Sequence, residues 1–191
     1  MARPIPAAAE TLIGYQARVE WMGREILTLA DLWPREVRAA IVGLNPAPPS
    51  VAAGHYYQGR LGLPQMRRLA AVGVFDLADD ARTYEVQALN AGVGLTDLVK
   101  RPTVGEKDLA PAEIEYGRAI LLEKLAVHRP PVVICVFRHV VRALLGAEGA
   151  PGIQPNSTPW GGSVFRMPGP FSPKEAVAPV MAELREVLSH P

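Results

Sequence analysis

Two short stretches of this chain are apolar without a break, residues 39–42 (Ala-Ala-Ile-Val) and residues 132–137 (Val-Val-Ile-Cys-Val-Phe). A strand with water on one side alternates polar and apolar residues, whereas these runs have no face to give to water. Such runs belong in the middle of a parallel sheet covered on both sides. Helical spacing surrounds them. It predicts helices over residues 63–72, begun near Pro64, over 111–127 with Ile114, Ala119, Leu122 and Leu125 inward, over 140–145 and over 173–188. Residues 84–89 lead into a further strand at 90–95, and another is predicted at 162–167. Strands alternating with helices specify an α/β fold, a three-layer α/β/α sandwich around a central, mainly parallel sheet of four or five strands.

At 191 residues the chain suits one domain with an ample core, and it contains no internal repeat or domain-splitting linker. Residues 1–9 are rich in Pro and Ala and are expected to be poorly ordered. Leu12, Tyr15, Val19, Met22 and Ile26 fall at helical spacing, so residues 10–29 are predicted to be helical, with Trp33-Pro34 closing the helix. Residues 10–36 thus form an N-terminal helical extension packed on the domain. Residues 76–81, 100–103 and 148–159 are expected as loops.

The first apolar run is halted by Gly43-Leu44-Asn45-Pro46, and Pro48-Pro49-Ser50 are expected to keep the next segment from becoming helical. Asn45 therefore stands at the carboxyl end of a buried strand, where open α/β sheets bind ligands. The loop behind it carries Ser50, Gly54, His55, Tyr56, Tyr57 and Arg60, suited to phosphate contact and to stacking on a flat group. Thr96 and Asp97 end the second strand region much as Asn45 ends the first. Asp97 has two readings: it caps the following turn, or it faces the same pocket as Asn45 and acts on a water or on positive charge there.

Composition narrows the chemistry. Twenty basic and nineteen acidic residues give a net charge of +1, so any nucleic-acid footprint must be local. Arg60, Arg67 and Arg68, with no acid between them, are its best candidates; their alternative is a solvated helix face. One cysteine, Cys135, excludes an internal disulfide and a multi-cysteine metal or cluster site, and His55, His128, His139 and His190 are not spaced as metal ligands. No metal or cofactor is therefore expected. No run of about 18 apolar residues suggests a membrane span, and no secretory signal is visible, so the expected location is cytoplasmic. A P-loop, a GxGxxG and a nucleophile elbow are all missing.

Gly43-Leu44-Asn45-Pro46 resembles the first motif of the mismatch-specific uracil/thymine DNA glycosylases, the Mug/TDG group of the uracil-DNA glycosylase superfamily. Residues 94–103, Gly-Leu-Thr-Asp-Leu-Val-Lys-Arg-Pro-Thr, resemble that group's second-strand segment, and this match is the more specific. Leu121-Leu122-Glu123-Lys124-Leu125 and Pro130-Pro131-Val132-Val133-Ile134 resemble its helix-then-strand unit. Residues 166–172, Arg-Met-Pro-Gly-Pro-Phe-Ser, stand where the group has its DNA-inserting loop. The resemblance spans residues 37–188. It implies a metal-free monofunctional glycosylase, a nucleoid-associated monomer acting on mismatched or damaged double-stranded DNA. It gives Asn45 the positioning of water, and gives Leu44, Tyr57 and the place of Gly169 to base binding. Asp97 is not required by the group's bacterial pattern, and its catalytic role rests on strand topology alone. Gly169 occupies the place of an asparagine that faces the base, which leaves selectivity open. Ser50, Arg60, Arg67, Arg68, Lys100, Arg101, Pro170, Phe171 and Ser172 are the expected DNA contacts, with Phe171 as an apolar wedge. A protein of the same fold that grips damaged DNA or free bases without turnover is the alternative.

Overall fold

In the computed structural model, which describes residues 11–189, five strands form the central sheet. They are β3 (Ala39–Gly43), β4 (Val93–Asp97), β5 (Val132–Cys135), β6 (Gly152–Ile153) and β7 (Ser163–Arg166), ordered β4-β3-β5-β7-β6. All neighbours are parallel except β6, which runs antiparallel to β7 at the edge. The mainly parallel α/β sheet expected from the apolar runs is therefore present, and it has five strands. The expectation for residues 1–9 lies outside the described residues.

Each central strand is buried on both faces because its alternate side chains serve two cores. Ala39, Ile41, Val132, Ile134 and Phe165 join one cluster with Met66, Leu69 and Leu184. Ala40, Val42, Val133, Cys135 and Val164 join the other with Leu121, Leu125, Val140 and Val141. Helices α2 (Gly62–Ala71), α3 (Glu85–Asn90) and α6 (Lys174–Ser189) contribute to the first layer; α4 (Pro111–His128) and α5 (Arg138–Leu145) contribute to the second. In α4 the buried face differs from the expected one: Ala119 is exposed, Ile114 and Leu122 are half-buried, and Gly117, Leu121 and Leu125 are buried. Apolar spacing alone could not choose between faces, because small Gly117 carries the close approach.

Beside the loop expected at 148–159, within which residues 152 and 153 pair with β7 as β6, three local expectations are corrected. Residues 16–29 form an antiparallel hairpin, β1 (Gln16–Trp21) with β2 (Arg24–Leu29), and not a helix. Met22 and Gly23 make its two-residue turn, both with positive φ (51° and 76°), the conformation that tight hairpin turns demand. Val19 and Ile26 satisfied helical spacing but face each other as a cross-strand pair. Second, residues 48–53 are helical, as α1 (Pro48–Ala53), because proline is well tolerated in a first helical turn, where its missing N–H would have no partner anyway. Third, the strand predicted at 90–95 is displaced to Val93–Asp97, since Asn90 still belongs to α3 and Gly92, at φ 75°, makes the turn between.

The hairpin is tied to the domain by charge as well as by packing. Asp31, just beyond β2, lies 2.5 Å from both Lys100 Nζ and Lys124 Nζ and accepts a hydrogen bond from Thr96. Lys100 Nζ also donates to the Leu29 carbonyl, and Thr28 Oγ1 donates to the Lys100 carbonyl. Replacing Asp31 by Asn leaves two lysines, one of them buried, without their counter-charge. Urea unfolding should show Asp31→Asn destabilised by about 3 kcal/mol, the scale seen when a buried ion pair loses one partner.

Candidate active site

Strand order runs outward from β3 in both directions, with β4 on one side and β5 on the other. Ligand crevices of open α/β sheets lie at such reversals, beyond the carboxyl ends of the strands. A cleft of about 1110 Å³ opens there, lined by Leu44 and Asn45 after β3, Asp97 at the end of β4, Phe137 after β5 and Gly169 after β7. Tyr57 and Arg60 enter it from the loop before α2. Residues distant in sequence, Asn45, Asp97, Tyr57 and Gly169, are thus brought to one place.

Asn45 is oriented by its donors. Its Nδ2 is 2.8 Å from Thr103 Oγ1, 3.2 Å from the Arg101 carbonyl and 3.3 Å from the Pro46 carbonyl. Thr103 passes its own proton to the Gly105 carbonyl, so its oxygen must accept from Asn45. With both amide hydrogens held by the protein, Oδ1 is the atom Asn45 can offer to a water.

Asp97 stands opposite Gly43 in the β3–β4 register and is 4% exposed. The Leu98 and Val99 amides donate to the Gly43 and Leu44 carbonyls, so the carboxylate does not cap the turn after it. Its Oδ2 is buried without a hydrogen-bond partner. Burial lifts the Asp97 carboxyl to about 7; Lys100 and Lys124 pull it down, while Asp31 adds to the rise. A carboxyl near neutrality in a cleft is the state a general base needs.

Tyr57 adopts a left-handed backbone (φ 53°) that turns its half-buried ring inward; its hydroxyl is buried and unpartnered. Burial, then the nearby Asp97, hold this phenol neutral well above its ordinary range. Gly43 makes the arrangement possible. A Cβ there would overlap Asp97 Oδ1 and lie 2.8 Å from Tyr57 Oη. Leu44 is buried at the base of the cleft, whereas Gly169 is exposed at its rim, and a Cβ on Gly169 would meet only Ser172 Oγ at 3.4 Å.

The other sequence-predicted residues separate into rim and framework. Arg60, Pro170 and Phe171 are exposed at the cleft, Phe171 by 75%. Ser172 is half-buried and closes the turn through its amide to the Gly169 carbonyl. Arg68 reaches the Gly169 and Pro170 carbonyls, and Gln65 the Pro168 carbonyl, so α2 fastens the loop that carries Phe171. Arg67 donates to the Asp79 carbonyl. Arg101 grips Glu113 through two hydrogen bonds of 2.6 and 2.7 Å, which hold that carboxyl down at about 2. Lys100 is buried in the Asp31 cluster, and Ser50 is buried, accepting from the Gln58 amide. Ser50 nevertheless lines the cleft beside Asn45. Tyr56 and His55 belong to the framework around buried Glu85, which accepts from the Tyr56 amide and lies 3.3 Å from His55 Nδ1.

Sequence reasoning missed Thr103, Arg138 and Val104. Arg138 opens α5 just past β5 and lines the cleft, so the strand-end rule that found Asn45 would have found it. Val104 is 90% exposed on the loop braced by Thr103. Among the described residues, no group of three or more His, Cys, Asp or Glu is placed to hold a metal ion.

A protein-family model described as the uracil DNA glycosylase superfamily matches residues 30–184. The match takes in β3, β4, β5 and β7 together with Leu44, Asn45, Tyr57, Asp97, Phe137 and Gly169, and leaves the β1–β2 hairpin outside.

Asp97 carries a stability consequence with a definite sign. Its folded-state value, about 7, lies above the unfolded value near 3.9, so the native state holds the proton longer. Stability from this group is therefore complete below about pH 4 and is lost as pH rises toward 7. Asp97→Asn removes that loss. Thermal unfolding should show the variant and the parent melting alike at pH 4, with the variant several degrees more stable at pH 8.

Proposed function

Because the chain belongs to the uracil DNA glycosylase superfamily, we propose that it hydrolyses the N-glycosidic bond of uracil mispaired with guanine in duplex DNA, as a metal-free, monofunctional enzyme of the mismatch-specific Mug/TDG kind. The observation that carries this reading is the meeting of Asn45 and Asp97 in one cleft from adjacent strand ends. A base flipped into the cleft stacks on Tyr57. A water accepted by Asn45 Oδ1 loses its proton to Asp97 as its oxygen bonds to the sugar C1′. The C1′–N bond breaks, its electron pair leaves with the base, and an abasic site remains. Phe171 fills the gap left in the duplex, and Arg60 meets its phosphates. A mispaired base costs less to extrude, which favours the mismatch over an A·U pair. With glycine at 169, no side chain there reads the base edge, so thymine and other damaged bases are further substrates. The protein would act as a monomer in the cytoplasm, on nucleoid DNA.

The same glycine supports a second reading, a protein that binds damaged DNA without cleaving it. Single-turnover cleavage of a labelled duplex bearing one G·U pair, developed by alkali in the presence of EDTA, decides between them. Asp97→Asn and Asn45→Ala should each slow cleavage by roughly 10²–10⁴-fold at unchanged DNA affinity, the usual reach of a positioned proton acceptor. Salt-sensitive binding with no alkali-labile product would favour the second reading. Full activity in Asp97→Asn would remove Asp97 from the mechanism.

A further inference from the structure

Thr103 is 7% exposed and stands between two partners: its Oγ1 lies 2.8 Å from Asn45 Nδ2 and donates to the Gly105 carbonyl at 2.9 Å. A hydroxyl facing an amide leaves the direction of the contact open, because it can donate or accept. The Gly105 carbonyl can only accept, so it takes the single hydroxyl proton and leaves Thr103 an acceptor toward Asn45. Gly105 is itself held. Its amide donates to Asp108 Oδ2 at 3.0 Å, and Arg101 Nη2 donates to the Asp108 carbonyl at 2.8 Å. The Thr103 amide reaches the Pro46 carbonyl at 3.3 Å, so the loop after β4 is clamped onto the turn after β3. An Asn45 amide rotated by half a turn would set Oδ1 against the Arg101 and Pro46 carbonyls, oxygen against oxygen.

We propose that Thr103 is a positioning residue for Asn45: its hydroxyl, polarised by the Gly105 carbonyl, holds Nδ2 and so keeps Oδ1 turned to the cleft. Its part in cleavage rests on the proposed glycosylase function; the orientation of the amide does not. Thr103 supplies the shortest of the three contacts to Nδ2 and the one that comes from a side chain, so it is the contact a substitution can remove. The polarity matters to the water. A water that donates one hydrogen to Asn45 Oδ1 and the other to Asp97 keeps its lone pairs for C1′. A water facing Nδ2 must use a lone pair to accept, and its nucleophilic side is turned away from the sugar. Thr103, Gly105, Asp108 and Arg101 thus act on the reaction through one atom of Asn45, with no contact of their own to the base.

Thr103→Val keeps the branched shape and deletes the hydroxyl, and Thr103→Ser restores it; Thr103→Ala serves in place of the valine variant if that one does not fold. The first measurement needs no substrate. The side-chain amide pair of Asn45 is followed by proton–nitrogen NMR, assigned by its loss in Asn45→Ala. Its exchange with water should quicken roughly tenfold in Thr103→Val, as befits one lost hydrogen bond, and keep the parent's rate in Thr103→Ser. The second is single-turnover cleavage of the G·U duplex. Thr103→Val should lower the maximal rate roughly 10–10²-fold at unchanged DNA affinity, Thr103→Ser should recover it, and Thr103→Val should add nothing in an Asn45→Ala background. A threonine that merely braced its loop would slow Asn45→Ala further. Additive losses in the double variant, or an Asn45 amide pair that exchanges alike in parent and Thr103→Val, overturn the inference. A parent that does not cleave defeats the proposed function and leaves the amide measurement to decide the orientation alone.

Discussion

The parallel pairing of β3 with β4 governs the site, because it sets Gly43 directly opposite Asp97. A residue with any side chain at 43 would push the carboxylate and Tyr57 apart, and a one-residue slip would turn Asp97 to the other face of the sheet. The two cores enforce that register. Ile41 and Leu95 must enter one layer while Ala40 and Val42 enter the other, so a slip would unpack both. Position of the carboxylate is thus secured by burial of the strands, and the strands are secured by the helices on either side.

A carboxylate so placed is held against its own solvation. Asp97 is buried with an unpartnered oxygen, and its neighbourhood is a balance of opposite charges rather than a direct ion pair. The balance is set partly by elements outside the central sheet. Asp31 is brought to Lys100 and Lys124 by the end of the β1–β2 hairpin, which also packs Trp21 edge-on against Tyr116 of α4. The hairpin therefore has a physical role at the site: Leu29 at its end lines the cleft, and Asp31 just beyond it keeps the Lys100 ammonium occupied.

How much of this was legible in the sequence depended on whether one signal decided the matter. The unbroken apolar runs at 39–42 and 132–137 had one physical solution, a central parallel sheet, and strand ends then marked Asn45 and Asp97. Residues 10–29 offered helical spacing alone, and the turn at Met22 and Gly23 showed only in their positive φ values and the strand pairing across them. Prolines 48 and 49 were read as helix breakers, though a first helical turn asks nothing of their missing amides. The arginines and lysines were least legible. Arg68, Arg101 and Lys100 carry the same charge as Arg60, but their partners, the loop carbonyls, Glu113 and Asp31, lie far away in sequence. No local pattern distinguishes a cation held by distant carbonyls and carboxylates from one left exposed at the cleft, as Arg60 is.

The pH dependence of single-turnover cleavage on a G·U duplex, parent beside Asp97→Asn, tests the central claim most directly. If buried Asp97 must be ionised to take a proton from the water, the parent's rate rises with pH about tenfold per unit below roughly pH 7 and levels above it, while the slow residual rate of the variant shows no such limb. A limb that survives in Asp97→Asn, or a parent rate flat from about pH 5 to about pH 9, would contradict it.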